Sequence, residues 1–246
     1  MAARAFDVLA LRYDELWTHS TIGRLQRAAV WQRLDRLFSP GHSLLDLGCG
    51  TGEDALHFMS RGMRVRAIDA SPEMARIARS RGVSATMLPI EQIDRLSGSF
   101  DGLISDFGVL NCVQGVDALR RPLARLVRPG GYLAICVMGC CCLWETAWYL
   151  IKAQPRKAFR RWSRRGAMSS LGVRVYYPSI DQLRQAFQPE FSLVQWCGIG
   201  VSVPPSYVTG LSDQLLLRLA RIETRVADWP LCRAVADHRL LIFYRK

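Results

Sequence analysis

Residues Ser43 to Gly52 read S-L-L-D-L-G-C-G-T-G, and this stretch decides the fold. A short apolar run (Leu44, Leu45, Leu47) carries one acid, Asp46, and then breaks into glycines at Gly48, Gly50 and Gly52. A helix-like stretch, Glu53 to Arg61, follows at once. Buried strand, sharp glycine turn and helix N-terminus together make a concave backbone surface that a ligand can approach without Cβ interference. The spacing discriminates between ligands. A dinucleotide fingerprint requires G-x-G-x-x-G. Here the third glycine arrives one residue early, and Asp46 stands two residues before the first.

Working outward, Arg64 to Ile68 alternates basic and apolar residues and ends in Asp69, about twenty residues past Gly48. An acid at the tip of a second strand accepts hydrogen bonds from ribose hydroxyls, and a carboxylate is acceptor-only, so it can take both. Ser71-Pro72 then opens a helix. Strands are expected near 43–47, 64–69, 84–88, 100–106, 131–138, 191–197 and 240–244. Helices fall between them, including Asp117 to Val127 and Ser179 to Phe187, after an N-terminal helical segment from Phe6 to Leu37. Such alternation predicts an α/β fold, a parallel sheet with helices on both faces.

The stretch from Ser43 to Met138 resembles the class I S-adenosylmethionine-dependent methyltransferases. Asp46-x-Gly48-x-Gly50-x-Gly52 matches their first motif, and Phe100-Asp101 and Leu126-Val127-Arg128-Pro129-Gly130-Gly131-Tyr132-Leu133 match later ones. The resemblance implies a Rossmann-like, seven-stranded, mostly parallel sheet whose last strand runs antiparallel. It also implies S-adenosylmethionine as cofactor and in-line methyl displacement. Its cofactor-binding residues carry over to Asp46, Gly48, Cys49, Gly50, Thr51, Gly52, Asp69, Ala70, Met74, Ile90, Glu91 and Asp106. Met74 would pack on the adenine, an ordinary core role being the alternative. Many relatives place an aspartate after the third strand. This chain has Leu88-Pro89-Ile90-Glu91, leaving Glu91 or the Ile90 backbone for that contact. Tyr13, in Arg12-Tyr13-Asp14, resembles the tyrosine that closes over the cofactor in the small-molecule type, the enzymes of ubiquinone and menaquinone biosynthesis and of natural products. Arg24 or Arg27 is the expected partner of the methionine carboxylate.

The chain of 246 residues is long enough for one α/β core. It divides into a helical cap (1–40), a cofactor-binding core (43–138) and two insertions, 139–178 and 198–238. The insertions follow strands, where open α/β sheets bind ligands, so they are expected to form substrate lids. Candidate substrate residues are Asn111, Trp144, Trp148, Tyr176 and Tyr207, an aromatic set suited to an apolar or planar molecule. Candidate catalytic residues are His19 and His238, either of which could take a proton, and Asp106, which could orient an acceptor hydroxyl.

The net charge is +12, concentrated in Pro155 to Arg165. At helical spacing its six cations fall on one side and Pro155, Ala158, Phe159 and Trp162 on the other. That pattern suits peripheral contact with an anionic membrane; a solvated helix packed on the protein competes with it. Ser105-Asp106-Phe107-Gly108 lacks the N/D-P-P-Y/F tetrad of many base-amino methylators, which points away from nucleic acid. Methylation of RNA at other atoms, or a cofactor-binding role without methyl transfer, are the alternatives to small-molecule methylation. Eight cysteines, three of them consecutive at Cys140 to Cys142, form no C-x-x-C pair, so no metal and a reduced, cytoplasmic setting are expected. Arg4 and Asp7 interrupt the first residues, so no secretory leader is expected. Substrate identity, acceptor atom and oligomeric state are not written in the sequence.

Overall fold

A computed structural model of the chain describes residues 2–246. Three pieces lead in: α1 (Ala2–Tyr13), a π turn at Asp14–Thr18, and α2 (Thr21–Leu34), capped by the Ser20 hydroxyl, which accepts the Gly23 N–H. Then come β1 (Ser43–Leu47), α3 (Glu53–Ser60), β2 (Arg64–Asp69), α4 (Pro72–Ser80), β3 (Ser84–Met87), β4 (Phe100–Ser105), α5 (Arg120–Leu126) and β5 (Val127–Met138). After β5 lie α6 (Leu143–Ile151), α7 (Pro155–Ala158), β6 (Ala167–Met168), β7 (Arg174–Val175) and α8 (Ile180–Phe187). The chain ends with β8 (Phe191–Ile199), α9 (Asp213–Val226), α10 (Pro230–Ala234) and β9 (His238–Arg245).

The sheet order is β3-β2-β1-β4-β5-β9-β8. The first five strands are mutually parallel, and β9 runs antiparallel to both β5 and β8. The seven expected strands are present, with β9 reversed as the resemblance implied. The small β6–β7 hairpin was not expected.

Side-chain alternation splits the core into two layers. Leu45, Leu47, Leu133, Ile135 and Val137 face α5 and α8 and pack with Leu123, Leu126, Leu183 and Phe187. Leu44, Ala67, Ile104, Ala134 and Cys136 face the other way, onto Val30, Leu34, Ala55, Phe58 and Ala78. Fully burying each large apolar side chain contributes roughly 1.5–3 kcal/mol. By the same alternation Asp46, Asp69 and Asp106 share the second face, because each lies two residues beyond one of its apolar members (Leu44, Ala67, Ile104). Three acids thus reach the carboxyl end of the sheet, toward the helical cap.

One expectation is corrected. Pro155 to Arg165 is not a single amphipathic helix. α7 stops after one turn, and Arg160–Trp162 is a separate 3-10 turn. Arg161 is buried and Trp162 is 63% exposed, the reverse of the expected segregation. The reason is non-local: Arg160 and Arg161 pair with Glu145, and Arg161 also pairs with Asp237. Those buried pairs outweigh a 3.6-residue period that treats all six cations as solvated.

Candidate active site

The Gly48–Gly52 turn crosses the carboxyl end of β1. Gly48 has φ +76°, and a Cβ there would lie 2.4 Å from the Val109 side chain, so only glycine lets the turn and the loop after β4 meet. The Gly48 and Cys49 N–H groups both donate to Ile68 O, which ties the turn to β2. Asp69 completes the connection. Its Oδ2 accepts the Gly50 N–H at 2.8 Å and its Oδ1 accepts the Ser71 N–H at 2.8 Å. Each oxygen keeps a lone pair for a further donor. Burial raises the Asp69 carboxyl above its ordinary range, and these two N–H groups oppose the rise.

Tyr13, Gly48, Gly50, Asp69, Ala70, Met74, Ile90, Glu91 and Asp106 line one cavity. The other expected cofactor residues lie behind that wall. Cys49 is buried, Thr51 donates its hydroxyl to Asp14 Oδ1 at 2.6 Å, and Gly52 caps α3. Asp46 is buried beneath the turn with Oδ2 unpartnered. Phe6, Phe107 and Val109 also line the cavity, and neither they nor Asp7 carry a sequence motif that marks them. Asp7 accepts the Ser71 hydroxyl at 2.5 Å and the Glu73 N–H at 3.2 Å, latching α1 onto α4. The apolar periodicity of α1 gives no signal of which turn would meet the cavity.

The electrostatics are unusual. Asp46, Asp54 and Asp106 are buried around one guanidinium, Arg27, which pairs with Asp54 and lies 4.7 Å from the Trp17 ring and 5.1 Å from Phe107. Asp54 also accepts the Trp31 Nε1–H at 2.7 Å. Both Asp106 oxygens are buried without a partner. Burial and then repulsion from Asp54 push Asp46 and Asp106 well above the usual carboxylate range, against the pull of Arg27. An unpartnered buried acid lining a cavity is suited to receive a cationic group of a ligand. Burial also pushes the Tyr13 hydroxyl up to about 12, so it stays protonated.

Of the other candidates, Arg24 bonds His19 O and Thr21 at the surface, and His19 itself is exposed and off the cavity. His238 is buried beside Phe107, ring centroids 5.5 Å apart, with Nδ1 3.2 Å from Asp237 Oδ2 although poorly aligned for a hydrogen bond. Burial opposes ionisation of Asp237, but His238 and Arg161 hold its carboxyl well below the ordinary range. Asn111 is fully buried. Its amide donates to Met138 O and Tyr176 O and accepts the Met138 N–H, which clamps the loop after β4 to β5 and to the first insertion. Trp144 Nε1–H donates to Val201 O and Ser202 O at 3.1 Å each, and Lys152 sits over the Trp148 ring. Tyr207 donates to Glu145 and stacks on Tyr149, whereas Tyr176 lines a second, larger cleft. No cluster of metal ligands occurs among the described residues.

Residues 45–135 match the family model described as a methyltransferase domain. A demethylmenaquinone methyltransferase of Mycolicibacterium gilvum is 34% identical over 168 residues, covering 63% of this chain and 70% of that protein. A S-adenosylmethionine-dependent methyltransferase of Thermotoga maritima, described as a possible histamine N-methyltransferase, superposes with TM-score 0.63 at 15% identity, covering 100% of each chain. The magnesium protoporphyrin IX methyltransferase of Synechocystis, solved with bound SAH (S-adenosylhomocysteine), gives TM-score 0.53 at 16% identity over 92% of this chain and 83% of that one.

Proposed function

The chain belongs to the class I S-adenosylmethionine-dependent methyltransferases, and we propose that it methylates a small planar or apolar acceptor held over the carboxyl ends of β4 and β5. The observation that carries the reading is Asp69: a carboxylate fixed by two backbone N–H groups beside a glycine turn, with free lone pairs facing the cavity. It suits the vicinal hydroxyls of a ribose. Met74 and Ile90 supply apolar surface for the base, and Glu91 or the Ile90 backbone meets its edge. Asp106, buried and unpartnered, is suited to the amino-acid ammonium. Bound there, S-adenosylmethionine supplies a methyl group that is already electrophilic. The protein's part is then chiefly alignment, which can supply about 7–11 kcal/mol of the barrier.

His238 does not itself line the cavity but packs on Phe107, which does, and with Asp237 ionised beside it is the group we place to take a proton where the acceptor must lose one. Incubation with S-adenosylmethionine and a panel of planar hydroxy-aromatics, reduced naphthoquinones first, should yield a product heavier by one methyl group. If S-adenosylhomocysteine binds but no acceptor gains mass, the non-methylating alternative holds instead.

Contact with an anionic bilayer is the finer reading of the charge. No helix among the described residues is long and apolar enough to cross a membrane. Between Glu145 and Asp181 the chain carries eight cations and no acid, and Ile151 is 82% exposed beside them. Replacing Arg156, Lys157 and Arg165 by glutamine should lower sedimentation with anionic liposomes. A wild type that stays in the supernatant removes this reading.

A further inference from the structure

A second cleft of about 910 Å³ opens next to the cofactor cavity and shares Val113 with it. Its volume lies within the roughly 300–1,000 Å³ of small-molecule sites. The loop held by the Asn111 clamp contributes lining to both. On its other side stand Trp162, Tyr176, Tyr177, Arg161, Arg164 and Cys140. The Arg161 guanidinium lies 5.6 Å from the Tyr177 ring. Arg161 is 4% exposed, and its Nε–H has no partner although its terminal nitrogens are paired. Arg164 is exposed and makes no ion pair or side-chain hydrogen bond among the described residues. Asp117 is the one carboxylate on the wall. Planar aromatic surface and an unpaired guanidinium together fit a flat ring that carries an oxyanion, since the guanidinium fork matches carboxylate or phosphate oxygens and the rings stack.

We infer that this cleft holds the acceptor, and that the acceptor is a planar aromatic molecule bearing an oxyanion received by Arg164. The inference rests on the methyltransferase reading and adds the substrate's charge. The Asn111 clamp then fixes the shared edge at Val113, past which the acceptor's nucleophile must reach the cofactor's methyl group for direct transfer.

Calorimetry on protein saturated with S-adenosylhomocysteine tests it, with 2-naphthoate, 2-naphthyl phosphate and neutral 2-naphthol as probes. At least one anionic probe should bind about five- to tenfold more tightly than 2-naphthol, and the better of the two tells carboxylate from phosphate. Arg164→Gln should bring the anionic probe down to the naphthol level and leave 2-naphthol unchanged. The bound anion should also slow alkylation of Cys140, read by peptide mass mapping. Equal binding of anionic and neutral probes, no binding of any, or indifference to Arg164→Gln overturns the assignment. The saturation step separates the two claims: failure to bind S-adenosylhomocysteine sinks the methyltransferase reading itself, whereas normal saturation with no probe preference sinks only the cleft.

Discussion

Asp69 and Asp106 do opposite things with the same functional group. Asp69 already holds two backbone donors, so its geometry is fixed before ligand arrives. Asp69→Ala removes two charge-assisted acceptors, each contributing about 1.5–3 kcal/mol when made to a neutral donor in a buried site. Calorimetry should show cofactor affinity lower by at least about tenfold; unchanged affinity removes Asp69 from the site. Asp106, by contrast, has no partner until a cation arrives. Its carboxyl titrates above the ordinary range when folded. The folded chain therefore retains a proton that the unfolded chain has released, and stability falls as pH rises from the ordinary carboxylate range through the raised one. Asp106→Asn abolishes that ionisation. Without cofactor the variant's Tm should fall less steeply than the wild type's as pH rises above the ordinary carboxylate range, the remaining slope coming from Asp46 and Asp69. It should melt a few degrees higher at the alkaline end, taking about 2–4 °C per kcal/mol for a chain of this size. Cofactor binding should weaken at the same time. A variant that melts lower and binds normally contradicts both halves.

At the scale of elements, α1 bears on cofactor entry and Glu145 on how the two insertions are held. The Asp7 latch lays Phe6 and Tyr13 over the cavity mouth, leaving about 150 Å³ inside. That is below the roughly 300 Å³ of typical ligand pockets, and the prediction is that α1 moves outward as the cofactor enters. Hydrogen exchange should show α1 among the less protected helices without ligand and strongly protected with S-adenosylhomocysteine; identical exchange in both states denies the gate. Glu145 ties the two insertions together. It is 1% exposed and accepts from Arg160, Arg161 and Tyr207. Burial alone would raise its carboxyl, but these donors hold it below the ordinary range. Glu145→Ala strands buried Arg161 beside a single acid and should lower unfolding free energy by about 3–5 kcal/mol. A loss below about 1 kcal/mol would mean that the insertions dock without it.

What could be read from the sequence also divides at this scale. The strand, glycine turn and helix of residues 43–61, the acid at Asp69 and the cap at Ser71 are local patterns, and each stands where its residues imply. The Asn111 clamp, the Asp7 latch and the Arg161–Asp237 pair join residues 27, 64 and 76 positions apart. No periodicity reports such contacts, and the Pro155–Arg165 segment shows them overriding one.

At the scale of the whole molecule, the sheet brings three carboxylates to one end, with Arg27 the one cation acting on Asp46 and Asp106. The cofactor cavity is acidic on its sheet side, while the adjoining cleft is bordered by a segment from Thr146 to Ile180 with no acid at all. A cationic cofactor and an electron-rich, negatively charged acceptor would thus be drawn to neighbouring sites of opposite sign. The claim on which this picture depends is the seat of the cofactor. A crystal structure with S-adenosylhomocysteine measures it directly. The expected map has the ribose hydroxyls on Asp69, the base between Met74 and Ile90, and the amino group at Asp106. Density for the ligand outside the Gly48–Gly52 turn, or with its ribose turned away from Asp69, contradicts the account.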